Sequence, residues 1–266
     1  MIDVNSIENI NSLQQDINSA WDWSKEWLVK FNKEKCEIIH YGSNNPKHDY
    51  SMDNVVLGQT TIQKDLGVLF SANMKWRQQI ISCSSKANKM LGMIKNTFVK
   101  LDVQTLKVLY VTFVRPIIEF AVPVWSPQLK GEIELLEKVQ HRATRLNPTL
   151  AKMKYEERLE ILGLSPLCER RLRGDLIQTY KLLNKIENVD FLNGFKPNDF
   201  QSRGNGVRFE REKTKCNLRH SFFTNRITKP WNKLPKDVVN AKSVNSFKAQ
   251  LDNWLLLNKI NTDTAV

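Results

Sequence analysis

Lysine and arginine number 40 in this chain against 28 aspartates and glutamates, a net charge of +12. Binding chemistry therefore comes before catalysis in what these residues can do, and polyanions are the natural partners of such an excess. Two stretches concentrate it. ERRLRGD sets Arg170, Arg171 and Arg173 near the start of a helical pattern, where positive charge opposes the helix macrodipole. Either they answer an anion such as a phosphate, or they join Glu169 and Asp175 in a surface salt-bridge network. Between Arg203 and Lys229 lie Arg208, Arg211, Lys213, Lys215, Arg219 and Arg226, interleaved with Phe209, Phe222 and Phe223. Cations and aromatic rings together suit single-stranded or hybrid nucleic acid, through backbone charge and base stacking. Alternatively the phenylalanines pack inside and only the charges face water.

Residues placed for covalent or metal chemistry are harder to find. His40, His48, His141 and His220 lack ligand spacing, and Cys36, Cys83, Cys168 and Cys216 form no C-x-x-C unit, which argues against zinc knuckles and redox pairs. There is no phosphate-binding or nucleophile-elbow glycine motif. Two-metal phosphoryl transfer needs acidic groups converging on ions about 4 Å apart, and no Asp-Asp dipeptide occurs. Glu132 and Glu134, and the Glu156-Glu157 pair, fall on polar helix faces and read as solvated. No catalytic or metal-ligating set is assigned, and no cofactor is expected.

The elements that position these groups follow from periodicity and caps. Ile7, Ile10, Leu13, Ile17, Trp21, Leu28 and Phe31 recur at helical spacing from Ser6 to Phe31, with Asn5 or Ser6 as cap. Trp23 and Trp27 share a second face of that helix, so it is expected to be sandwiched, with all three indoles in the core. CEIIHYG predicts a strand of six or so residues. VVLGQTTI predicts a hairpin turning at Gly58-Gln59, and KDLGVLF another short strand. A long basic amphipathic helix is expected from about Lys75 to Val99, with Ile80, Ala87, Leu91 and Ile94 as its stripe. Beyond Val103 the pattern is helical: Gln104 to Val114, a kink or restart at Pro116, a buried corner at VPVWSP, then helices over Glu132–Leu146, Lys154–Leu162 (stopped by Gly163), Leu167–Ile186 and Val244–Leu257. Asn188 to Gly206 reads as a linker. The fold class is α+β and mostly α: an N-terminal helix with a small antiparallel sheet, then helices. The composition, 41% hydrophobic and 26% charged, is globular. The longest apolar run, Val108 to Trp125, is broken by Arg115, Pro116 and Glu119 and is expected in a core, not a membrane. Nothing marks the chain as secreted, so a nuclear or cytoplasmic location is expected.

Taken in order, these pieces resemble one family. LQQDINSAWDWSKEWLVKFNKEKCEIIHYG looks like the segment just after the catalytic hairpin of non-LTR retrotransposon reverse transcriptases, of the jockey and chicken-repeat type. KDLGVLFSANMKWRQQI resembles the Leu-Gly turn of their primer grip. KANKMLGMIKNTF, VRPIIEFAVPVWSP, LEKVQHRATRL, YEERLEILGL and RRLRGDLIQTYKLL resemble the thumb and the helices beyond it, and LRHSFFTNRITKPWNKLPKDVVNAKSVNSFKAQLDNW the end of the polyprotein.

The resemblance implies a partial palm over residues 1–72, a helical thumb and following helices over 73–187, and a linker with a basic C-terminal region over 188–266. Members of the family bind magnesium through an Ala-Asp-Asp motif that lies upstream of the tryptophan helix and is absent here. What is implied is an RNA-directed DNA polymerase fragment, inactive alone, with RNA or DNA and the missing palm and fingers as partners. By the same likeness Lys35 matches a palm lysine, left with a phosphate contact or a surface charge, and Leu66, Gly67 and Val68 match the primer-grip turn; Gly67 could equally be a plain tight turn. The candidate nucleic-acid-binding set is Lys35, Leu66, Gly67, Val68, Arg170, Arg171, Arg173, Arg208, Arg211, Arg219 and Arg226. The alternatives are a helical protein-interaction module, docking through Trp23, Trp27 and the Ile38-Ile39 strand, or a remnant with no function.

Overall fold

A computed structural model describes residues 6–42, 44–187, 189, 195 and 208–258. They fall into two compact units, Met1–Gln79 and Ile80–Val266.

The first unit opens with helix α1 (Ile7–Glu26). Ser6 caps it, its hydroxyl accepting from the Asn9 N–H at 3.2 Å. The helix stops five residues before the expected Phe31. Leu28 turns left-handed (φ 56), and the Val29 N–H reaches back to the Ser24 carbonyl at 2.9 Å, which is the Schellman way of ending a helix. The Gln14 amide ties α1 to the sheet region. It accepts from the Ser51 N–H at 2.9 Å and donates to the Ser51 carbonyl at 2.7 Å, as a neighbouring strand would.

Six short strands follow: β1 (Glu37–Ile39), β2 (Ser51–Met52), β3 (Val55–Val56), β4 (Gly58–Thr60), β5 (Ile62–Asp65) and β6 (Val68–Ser71). They pair two by two, β1 with β4, β2 with β3 and β5 with β6. Three expectations are corrected. The sheet is not wholly antiparallel, because β1 and β4 run parallel. The chain between them makes an excursion containing β2 and β3, and a parallel pair requires such a crossover. Nor is the hairpin turn at Gly58-Gln59, since both residues lie in β4. The turn is Asp53-Asn54, with φ of 50 and 60, the paired positive angles of a tight hairpin turn that Asp and Asn tolerate. KDLGVLF is likewise two strands, hinged at Leu66 (φ 44) and Gly67 (φ 88).

The indoles are the fourth correction. Trp21 is half-buried, but Trp23 and Trp27 are 50% and 64% exposed, so α1 is not sandwiched. Its buried side runs through Ser24, 1% exposed, roughly 100° of helix rotation from Trp23.

Helix α2 (Arg77–Thr97) links the units, with Ile80, Ala87, Leu91 and Ile94 all buried as its spacing required. Helix α3 (Val103–Leu109), capped by Asp102, widens into a π-helical turn over Tyr110–Val114 before α4 (Arg115–Glu119). Pro116 has no N–H for the preceding turn, and the extra residue accommodates it. The corner α5 (Val122–Trp125) buries Trp125 completely, its indole N–H donating to the Phe120 carbonyl at 2.8 Å. Then come α6 (Lys130–Thr144), α7 (Pro148–Ala151), α8 (Tyr155–Leu162), ended by left-handed Gly163, and α9 (Leu167–Leu183). Glu132 is buried, not solvated, at 7% exposure; it sits in the first turn of α6, where the helix dipole favours a carboxylate.

The expected linker over 188–206 lies almost wholly outside the described residues. Past it stand α10 (Asn217–His220), α11 (Phe223–Asn232), α12 (Lys236–Val239) and α13 (Val244–Asn258). They do not form a region of their own. Phe209, Ile227, Trp231, Phe247 and Leu251 share one core with Leu176 and Tyr180 of α9, and the Tyr180 hydroxyl donates to the Ala241 carbonyl at 2.5 Å. The fold as a whole is α+β and mostly α.

Candidate nucleic-acid interface

The arginines of α9 face carboxylates of this same chain. Arg170 grips Glu119 with two parallel bonds, Nε to Oε1 at 2.5 Å and Nη2 to Oε2 at 2.9 Å, and this raises its pKa further. Arg173 holds Asp252 in the same forked manner, at 2.5 and 2.8 Å. Neither partner is the Glu169 or Asp175 that proximity in sequence suggested. Arg171 is buried, 6% exposed, and burial pushes its guanidinium down while Cys168, Glu137 and Asp175 oppose that.

Asp175 belongs to Arg226. The guanidinium donates to both carboxylate oxygens, at 2.8 and 2.9 Å, and to the Pro123 carbonyl at 2.7 Å. Asp175 is only 4% exposed. Burial raises its pKa, against the pull of Arg226 and then Arg171. The Arg226 guanidinium also lies 5.3 Å from the centre of the Phe223 ring. Arg226 is thus a core tie between α9, α11 and the α5 corner.

The basic tail divides between packing and surface. Phe209 and Phe223 are buried, at 3% and 6%, and the Asn232 amide clamps the Phe209 backbone at 3.0 and 2.8 Å. Their stacking role is therefore taken by the core. Phe222 remains half-exposed with Arg219 over its ring at 5.2 Å, and Arg219 also pairs with Glu212 at 2.7 Å. Arg211 meets the His220 ring at 3.0 Å, and Arg208 is half-buried.

In the first unit, Lys35 ends a short 3₁₀ turn (Lys33–Lys35) and is exposed. Leu66 projects from the β5–β6 turn at 90% exposure, Gly67 completes the turn, and Val68 is buried at 4%. The turn is anchored to α2, since the Gln79 amide oxygen accepts from the Leu69 N–H at 3.0 Å.

A stronger concentration of cations lies where no single residue stood out. From Leu66 to Leu101 there is no aspartate or glutamate, while Lys75, Arg77, Lys86, Lys89, Lys95 and Lys100 all occur there. All six are exposed. None has a carboxylate partner among the described residues. On α2 the buried stripe takes one side, and Arg77, Lys86, Lys89 and Lys95 spread over the other at 100° per residue. Lys86 and Lys89 are neighbours on that face, about 5–6 Å apart at their Cβ atoms, and Arg77 and Lys95 lie about 27 Å apart along the axis. Ser85, Asn96 and Gln78, also exposed, add uncharged donors. The signal was readable: a carboxylate-free stretch leaves its lysines without local partners.

All four cysteines are free thiols. Among the described residues no group of three or more His, Cys, Asp or Glu side chains is placed to hold a metal ion. No described helix is long and apolar enough to cross a membrane. No family model, curated protein or solved structure matches the chain.

Proposed function

We propose that this chain is a segment of the reverse-transcriptase type that grips the backbone of RNA or DNA without itself polymerising, and that the outward face of α2 makes the grip. The observation that carries this reading is the unpaired cation set Arg77, Lys86, Lys89 and Lys95 on a helix with no acidic residue. Phosphate contacts need charge that is not already neutralised, and α2 has it where Arg170, Arg173 and Arg226 do not. The order of motifs from the tryptophan helix through the Leu66-Gly67 turn supports the family. Copying a template would need metal-binding aspartates from outside these residues, so primer extension with magnesium is expected to yield no product.

Fluorescence anisotropy with a labelled RNA–DNA hybrid, measured across a salt series, tests the grip. Each phosphate contact adds roughly 0.7–0.9 to the slope of log affinity against log salt. Lys86→Gln, Lys89→Gln and Lys95→Gln together should flatten that slope by about 2–3. A salt-independent affinity, or a slope the triple variant leaves intact, overturns the assignment to α2.

A further inference from the structure

Two indoles stand bare on α1 in a setting that fits neither the core nor a phosphate backbone. Trp23 and Trp27 lie four residues apart with ring centres 6.4 Å from each other. Their helix is an acidic element in a basic chain. Over Ile7–Glu26 the charged residues are Glu8, Asp16, Asp22, Glu26 and the single cation Lys25, which is already 3.4 Å from Asp22. Asp16, two turns before Trp23, and Glu26, three residues after it, share the indole side by helical spacing. Both are exposed. These carboxylates favour a cationic group beside the indoles, with Lys30 the nearest opposing charge in sequence past the helix.

The third indole shows which cations. Trp21 carries the Lys33 ammonium 4.6 Å and the Lys25 ammonium 5.4 Å from its ring centre. Among the described residues no cation lies over Trp23 or Trp27. Indole has the most attractive aromatic face for a cation, and arginine is its commonest partner. Just past the helix, Leu28 and Val29 add 86% and 54% exposed apolar side chains. Such a patch, with indoles beside carboxylates, matches the composition of a protein-binding anchor.

We propose that the Trp23–Trp27 face of α1 docks an arginine- or lysine-bearing, partly apolar segment of a protein partner. The cation lies over the indole faces, Asp16 and Glu26 flank it, and Leu28 and Val29 receive its apolar neighbours. The residues of this face are not among the cations assigned to α2.

A fluorescently labelled synthetic amphipathic helix with arginine and leucine on one face, titrated with the full chain, tests this. Binding is expected despite the net positive charge of the protein, and a charge-reversed peptide with glutamate for arginine should not bind. Trp23→Ala and Trp27→Ala should each weaken binding about fivefold, Trp27→Phe less, and Glu26→Gln measurably. Both indoles are exposed, so circular dichroism should show the variants folded. The triple glutamine variant of α2 should bind the peptide unchanged. Absence of peptide binding, or equal binding by the doubly indole-less chain, overturns the proposal. So does a loss on removing the indoles that appears only with an oligouridylate probe, which would make the pair a base-stacking platform.

Discussion

Replacing Arg226 by methionine removes the counter-ion of a buried carboxylate and keeps most of the side-chain volume. Asp175 is 4% exposed, and both of its oxygens accept from that one guanidinium. Without it the carboxylate either stays ionised in a desolvated site or takes a proton. Losing one partner of a buried pair costs about 3–5 kcal/mol, far above the 0–1 kcal/mol of a surface pair. The Pro123 carbonyl, which Arg226 also serves at 2.7 Å, loses its donor at the same time. At roughly 2–4 °C per kcal/mol for large domains, melting should fall by about 6–20 °C. Thermal denaturation followed by circular dichroism is the assay, with Asp175→Leu and the double variant completing a cycle. The double variant should recover most of the loss, since a well-packed apolar pair can replace a buried ion pair. An Arg226→Met chain that melts within a degree of wild type but binds nucleic acid poorly would refute the reasoning, and would return Arg226 to the phosphate-binding set.

Three further outcomes are expected. His141 stacks on Tyr155 with its Nδ1 3.4 Å from the Arg158 guanidinium Nη2, and burial, then Arg158 and Arg145, depress its pKa against the pull of Glu156. The unfolded chain takes this proton near pH 6.5 and the folded chain only below that, so stability should fall as pH drops from about 6.5 through the folded value; His141→Gln should remove that part of the slope in pH-resolved urea melts. Leu66→Asn should raise stability by about 1 kcal/mol in the same melts, because asparagine tolerates the left-handed angle that leucine is forced into at φ 44; since the leucine is 90% exposed, no gain would refute the strain at this turn. Tyr180→Phe should cost about 1–3 kcal/mol, since it strips the buried Ala241 carbonyl of its donor, a loss readable from the denaturation midpoint at constant m-value.

Much of the helical framework was legible because its causes are local. Ser6 caps α1 through a bond three residues long, Gly163 ends α8 because glycine accepts a left-handed angle, and Pro116 interrupts its helix because it has no N–H to give. The stripe Ile80, Ala87, Leu91 and Ile94 is buried because a helix sets such residues on one side wherever it packs. The carboxylate-free α2 belongs with these, since an unpaired charge can be anticipated where no local partner exists.

What tertiary structure alone decided depended on partners far away in the chain. Arg170, Arg173 and Arg226 meet Glu119, Asp252 and Asp175 across separations of 51, 79 and 51 residues, and no local pattern distinguishes a guanidinium awaiting phosphate from one already held. The parallel pairing of β1 with β4 turned on where a crossover returned the chain. Trp23 and Trp27 carry the same apolar side chain as Trp125 and Trp231, which are fully buried. Side-chain type sets how much burial would contribute, and only the placement of the other elements determines whether anything is there to bury it.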